Sequence, residues 1–154
     1  MIYLKCIPLI LLFFQFTFVN ANEELYEKRL SEANIKIEKI KNSSKICKNL
    51  NYKKWNDCYA EYSFPRGAYK GQWKNGMLDG IGMYTEVWGG IYIGEYKNNN
   101  ANGKGTYFLK SGTIFEGDFK NDLAHGKVKY VSEYGDEIIG CLLYTSDAAD
   151  DIPG

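Results

Sequence analysis

From Tyr62 onward the chain alternates aromatic or glycine positions with hydrophilic ones, the period-two signature of strands. Tyr69, Gly71 and Trp73 share one face of a predicted strand, and Lys70, Gln72 and Lys74 share the other. Gly80, Gly82 and Tyr84 alternate likewise on a return strand. Between the two, Asn75-Gly76 inside Lys74–Asp79 is a strong signal for a tight hairpin turn. The pattern then recurs every 23 residues: Tyr69, Tyr92, Phe115 and Ile138; Gly71, Gly94, Gly117 and Gly140; Trp73, Tyr96 and Phe119. Gly80, Gly103 and Gly126 keep the same step, as do Tyr84, Tyr107 and Tyr130, and Gly89, Gly112 and Gly135 close each unit. At the phase of Gly76 the later units carry Asn99 and Asp122, which also tolerate the left-handed backbone, so the turn survives the change of residue. A fixed period of this length predicts an array of identical hairpins. Strand glycines at constant phase beside aromatics predict that rings lie flat across the glycine backbone.

Ahead of the array the period changes. Glu23–Ile40 reads as a helix with a narrow apolar stripe, Leu30, Ala33, Ile37 and Ile40. Its glutamates come first and its lysines last, as the helix dipole favours. The polar stretch Asn42–Asn51 reads as a linker tied down through Cys47, and linker and helix together are expected to cap the first edge of the sheet. Met1–Ala21 has the layout of a secretory signal: Lys5, the apolar run Ile7–Val19, then Val19-Asn20-Ala21 before a cleavage point at Asn22. An uncleaved anchor is the rival reading, although the run is shorter than the roughly 20 residues of a spanning helix. At the other end, Cys141–Asp150 resembles the in-frame translation of a sequencing-library adapter, and the repeat loses phase after Gly140. Residues 141–154 are therefore expected to be an adapter-derived tail, with the biological array broken at Gly140 and its last strand edge left open.

Composition narrows the function. The 154 residues hold 19 basic and 19 acidic side chains, which disfavours a nucleic-acid binder. Sixteen Gly, 13 Tyr, 8 Phe and 3 Trp exclude disorder, which is aromatic-poor. A single His removes histidine-rich metal sites. Within 22–54 there are 9 basic and 5 acidic groups, and within 55–140 there are 9 and 11, so a basic arm precedes a slightly acidic body. Setting aside Cys6 and Cys141 leaves Cys47 and Cys58, an even pair that in an exported chain favours a disulfide over two free thiols. Their spacing of 11 matches no zinc pattern.

The unit Tyr-x-Gly-x-Trp-Lys-Asn-Gly-x-x-x-Gly-x-Gly-x-Tyr, as it stands at Tyr69–Tyr84, resembles the MORN (membrane occupation and recognition nexus) repeat. Tyr92–Tyr107 and Phe115–Tyr130 are further copies, Ile138–Gly140 opens a fourth, and Cys58–Gly67 is a degenerate half-repeat. The array thus covers residues 55–140. Departures are Val128 for the second glycine of the return strand, Ile138 for the leading aromatic, and Tyr59-Ala60 where glycines belong. The resemblance implies a mainly β fold: an elongated antiparallel sheet of successive hairpins preceded by an α-helix.

Catalytic chemistry finds little support. Gly103-Lys104-Gly105-Thr106 lacks the hydroxyl residue after the lysine and the earlier glycine of a phosphate loop. His125 has no second His, Ser or Cys partner in sequence reach, and Glu95, Glu116, Asp118 and Asp122 fall at repeat phases of solvated strand and turn positions. The candidate binding surface is the aromatic row Tyr69, Trp73, Tyr92, Tyr96, Phe115 and Phe119, with Tyr84, Tyr107 and Tyr130, which either stacks on a partner or packs internally. Lys70, Lys74, Lys97 and Lys120 are the candidate charged contacts. The expected function is a non-catalytic binding or scaffolding module, secreted or periplasmic, that presents this surface to a protein or cell-envelope partner without metal, cofactor or nucleic acid. Two alternatives stand beside it. One is a targeting arm for a catalytic domain further along the gene product. The other is peripheral attachment to anionic lipid, each lysine near the surface adding about 1 kcal/mol.

Overall fold

A computed structural model describes residues 21–142, and the proposed signal and most of the proposed tail lie outside that range. Eight strands follow in chain order across one antiparallel sheet. They are β1 (Cys58–Phe64), β2 (Gly67–Lys74), β3 (Met77–Glu86), β4 (Ile91–Lys97), β5 (Asn100–Phe108), β6 (Ile114–Lys120), β7 (Leu123–Val131) and β8 (Glu137–Leu142). The architecture is the expected one: mainly β, hairpin after hairpin, preceded by a single helix, α1 (Ala21–Ser43). The helix is longer at both ends than its apolar stripe indicated.

The 23-residue period becomes spatial through register. Tyr62, Tyr69, Tyr84, Tyr92, Tyr107, Phe115, Tyr130 and Ile138 stand directly opposite one another, strand by strand, in one row across the whole sheet. Beside it runs a second row, Ala60, Gly71, Gly82, Gly94, Gly105, Gly117, Val128 and Gly140. The Tyr69 ring lies over the Gly71–Gly82 pair and the Tyr92 ring over Gly94–Gly105, so a Cβ on any of these glycines would collide with the ring or the facing strand. Each hydroxyl then donates to a backbone carbonyl three residues on, Tyr69 to Gln72 at 3.0 Å and Tyr92 to Glu95 at 3.4 Å. In the third repeat Val128 fills the seat itself, with a methyl 3.1 Å from where a Gly117 Cβ would stand. Phe115, which has no hydroxyl to anchor, packs instead edge-on to Tyr130 at 5.2 Å. The Val128 departure is therefore an interior exchange of ring seat for side chain.

The turns bind each hairpin to the one before. Asn75 and Gly76 have φ of 51° and 75°, Asn98 and Asn99 51° and 73°, and Asn121 and Asp122 50° and 68°. Two consecutive left-handed residues make the tight turn whose twist matches the strands. Its second residue reaches across to the neighbouring repeat. The Leu78 N–H donates to Asn99 Oδ1 at 2.9 Å while the Asn99 N–H donates to the Leu78 carbonyl at 3.0 Å. Asp122 and Ala101 repeat this exchange at 2.6 and 3.1 Å. Gly76, lacking a side chain, donates only its N–H, to Trp55 at 2.7 Å, and Asn56 Oδ1 accepts from the Asn75 N–H. The entry segment 55–56 thus takes the place of a preceding strand.

Gly80, Gly103 and Gly126 do something other than seat a ring. Gly80 and Gly103 have φ of 102° and 110° at the irregularity between Gly71 and Trp73 and its equivalent between Gly94 and Tyr96. The extra return-strand residues there are held by the side chain opposite: the Ile81 N–H donates to Gln72 Oε1 at 2.8 Å and the Lys104 N–H to Glu95 Oε1 at 3.3 Å. A Cβ on Gly126 would meet nothing.

The helix covers a face, not the first edge. Ile37 is fully buried and Leu30, Ala33 and Ile40 pack with Met83, Ile93, Phe108, Ile114 and Val131 on the side of the sheet away from the glycine row. Tyr26 meets Phe108 edge-on at 5.5 Å, and Arg29 bridges to Glu116 at 2.8 Å. The sheet therefore has two cores, one of rings and one aliphatic. The edge is capped by the linker alone: the Cys47 N–H donates to the Tyr59 carbonyl at 2.9 Å and the Tyr59 N–H to the Lys45 carbonyl at 2.7 Å. The Cys47–Cys58 disulfide pins that segment to β1.

Two outcomes follow from this packing. Gly105→Ala puts a methyl under the Tyr92 ring and is expected to lower stability by about 1–3 kcal/mol in urea unfolding, whereas Gly140→Ala, which meets no atom within 4 Å, should lie within about 0.5 kcal/mol of the parent. Equal effects would remove the ring seat from the account. Replacing Cys47 and Cys58 together by Ser should cost roughly 2–3 kcal/mol for the short loop they close. Hydrogen exchange should then rise at Tyr59, whose N–H bonds the pinned segment.

Candidate functional site, an aromatic groove

The ring face of the sheet is concave and encloses a groove of about 1000 Å³. Its floor is built by the third aromatic phase, Trp73, Tyr96 and Phe119, together with Leu78, Ala101 and Ala124 across from them. The rings interlock edge to face in a continuous series. Trp55 meets Trp73 at 4.9 Å, Trp73 meets Tyr69 at 5.5 Å, and Tyr69 meets Tyr96 at 5.2 Å. Tyr96 then meets Tyr92 at 5.2 Å, and Tyr92 meets Phe119 at 4.9 Å. Such pairs add about 0.5–1.5 kcal/mol each beyond the area they bury.

This settles where the candidate aromatics stand. Tyr69 and Trp73 are 1 % exposed and Tyr92, Tyr96 and Phe119 no more than 8 %, so these five chiefly pack against one another and supply floor, not a protruding surface. Phe115 is half-exposed. Half-buried Tyr84 and Tyr107 also line the groove, whereas Tyr130 does not, and Tyr62, in the same cross-strand row, is packed among Tyr52, Trp55, Phe64 and Trp73. The physical reason is the alternation of strands. In first strands Tyr69 and Tyr92 fold over the row glycines; in return strands that seat is taken, so the Tyr84 ring lies instead against Gly67 and the Tyr107 hydroxyl reaches Gly90. Tyr52 and Phe64 close the β1 end of the groove, Phe64 stacking near-parallel to Trp73 at 6.3 Å. Phe64 was legible from its period-two spacing to Tyr62. Tyr52, on a short 3-10 turn at Tyr52–Lys54, had no phase to reveal it.

The candidate lysines lie elsewhere. Lys70 points to the helix, its Nζ donating to Asn34 Oδ1 at 3.2 Å. Lys74, Lys97 and Lys120 are exposed at successive hairpin tips. By strand alternation all four face away from the groove, so no single surface carries both the ring row and the lysines. The carboxylates have structural work. Glu95 holds a strand irregularity, Asp122 a turn, and Glu116 and Asp118 pair with Arg29 and Lys104. His125 is exposed on β7, opposite Asp118.

Polar groups inside the groove are few and placed at its rims. Glu86 Oε2 accepts from the Tyr107 hydroxyl at 2.6 Å, Arg66 stands exposed at the same end, and Asn99 and Asp122 form the opposite rim. Burial, and then the bond and charge of Glu86, push the Tyr107 hydroxyl up to about 12. Burial drives Tyr69, Tyr92 and Tyr96 much further above the ordinary phenol range.

A continuous sheet of in-phase hairpins, each locked to its neighbour by turn and ring, defines a β-hairpin repeat protein. The MORN repeat family model matches residues 69–90, 92–114 and 115–132, and the chain is a MORN-repeat protein. Comparison of the chain with curated proteins gives no match.

Because the raised phenols bind their protons more tightly when folded, their contribution is complete below the unfolded value of about 10 and is lost as pH rises through the folded values. Stability is expected to be insensitive to these groups at neutral pH and to fall progressively above pH ~10. Tyrosinate absorbance should then appear in part together with loss of the sheet. Full ionisation of all tyrosines while the circular dichroism stays native would contradict this packing.

Proposed function

We propose that this chain is an exported, non-catalytic binding module that takes a partner into the aromatic groove. One observation carries the reading: the concave face offers about 1000 Å³ lined by aromatic rings, while α1 covers the other face. A groove with an interlocked floor is preorganised, so little ordering opposes binding. Export rests on the layout of Met1–Ala21 and agrees with the Cys47–Cys58 bridge. Among the described residues no helix is long and apolar enough to cross a membrane.

A second reading, contact with anionic lipid, draws on Lys74, Lys97 and Lys120, which repeat at exposed hairpin tips. It predicts vesicle binding that disappears at high salt.

The groove reading is tested by placing a photo-crosslinking side chain at Tyr84 or Leu123, which line the groove, and at Thr85, exposed on the other face beside Tyr84. Incubated with the source cell's envelope fraction, the first two should give discrete adducts and Thr85 none. Adducts from Thr85 alone, or equal adducts from all three, would place the contact off the groove.

A further inference from the structure

We propose that Asn42 is an N-glycosylation site: in a secretory lumen its amide takes an oligosaccharide from a lipid-pyrophosphate donor, and the glycan stands on the solvent side of α1, across the sheet from the groove. This rests on export of the chain and adds a covalent modification to it.

The first support is the motif. Asn42-Ser43-Ser44 has the Asn-x-Ser spacing with no proline between. No other asparagine of the sequence has Ser or Thr two places on. An amide nitrogen is a poor nucleophile because its lone pair is delocalised into the carbonyl. The spacing lets a transferase grip the Ser44 hydroxyl while its acidic groups twist the Asn42 amide out of that conjugation. The nitrogen then bonds to the anomeric carbon of the first sugar. The C–O bond to the pyrophosphate breaks, the pyrophosphate departs with the electron pair, and the amide loses one proton.

The second support is placement. Asn42 is exposed in the last turn of α1, which ends at Ser43. With about 3.6 residues per turn it lies on the side of the helix away from Ala33 and Ile40, which pack on the aliphatic face. The chain around it is held. The Ser43 hydroxyl donates to the Ile40 carbonyl at 3.1 Å, and Lys41 Nζ bridges to Glu61 on β1 at 3.0 Å. A glycan at Asn42 therefore points to solvent without displacing a packed side chain. Because α1 covers the aliphatic face, that glycan leaves the ring face free.

The third support is the compartment. Cys47, in the linker that follows Asn42, is bonded to Cys58. Disulfides persist in the oxidising secretory lumen, where this transfer also takes place, and N-linked glycans belong on exposed segments of exported chains. Leader, acceptor and bridge follow one another in the N-terminal part of the chain and require the same environment.

The test takes the full chain from its source cell, as the parent and as tagged variants expressed there, and reads intact mass and gel mobility before and after peptide N-glycosidase. Digestion should remove the mass of one glycan and convert Asn42 to Asp, labelled when the reaction runs in heavy-oxygen water. Asn42→Gln and Ser44→Ala should each abolish the shift completely, Ser44→Thr should keep it, and Ser43→Ala should leave it unchanged. Groove crosslinks from Tyr84 should be the same before and after digestion. An unglycosylated chain that has lost its leader and left the cytoplasm overturns the site while export stands. An unglycosylated chain that keeps Met1–Ala21 inside the cytoplasm overturns both. A glycan that remains after Asn42→Gln overturns the assignment to Asn42, and Tyr84 adducts that appear only after digestion overturn its placement across the sheet from the groove.

Discussion

The structure depends on a phenol ring lying flat on a pair of glycines. A single-layer sheet exposes two faces and has no interior of its own. Folding Tyr69 over Gly71 and Gly82, and Tyr92 over Gly94 and Gly105, gives it one without a second layer. The contact is specific because it needs the absence of two side chains at once, on adjacent strands, in exact register. It also covers glycine backbone that would otherwise weaken a strand. Slipping the register by one residue would turn every ring to the other face, so the same contact that builds the core also sets the pairing. Where it lapses, at Val128, the ring leaves its seat and packs sideways on Tyr130.

From this arrangement the groove follows. Tyr69 and Tyr92 lie over the row glycines and pack with the floor of Trp73, Tyr96 and Phe119, while Tyr84 and Tyr107 in return strands lean the other way, toward Gly67 and Gly90. The turn residues contribute a second periodic feature. Asn99 and Asp122 tie each hairpin to its predecessor with one oxygen and leave the remainder of the side chain on the groove rim. The ties between hairpins and the rim of the groove are thereby drawn from the same side chains.

The helix and the disulfide-pinned linker solve the two remaining problems of a free sheet. Ile37 and its stripe cover the aliphatic face, where Met83, Ile93 and Phe108 would otherwise meet water. Residues 45–47 pair with β1 and close the edge that could template association. Dividing these tasks between two consecutive segments leaves the ring face open. Had α1 crossed that face instead, the groove would be a core and the chain would have no concave surface to offer.

The hairpins, their order, the turn chemistry and the helix were all legible in the amino-acid sequence, because each rests on local periodicity: two in strands, 3.6 in the helix, 23 in the array. Asn75-Gly76 and its successors at 98–99 and 121–122 show left-handed pairs at the phase the sequence assigned to the turn. The pairing of Cys47 with Cys58 was equally accessible once exported context and parity were considered. Tertiary structure alone decided which aromatic rows are buried and which stand open. Tyr69 and Tyr84 face the same side, are the same residue type and recur with the same period; they differ in which glycine backbone receives the ring, the Gly71–Gly82 pair for Tyr69 and Gly67 for Tyr84. That depends on the strand already lying beside each one. The side on which the helix packs was likewise undetermined, since an apolar stripe finds whichever face presents aliphatic side chains once the rings have claimed the other.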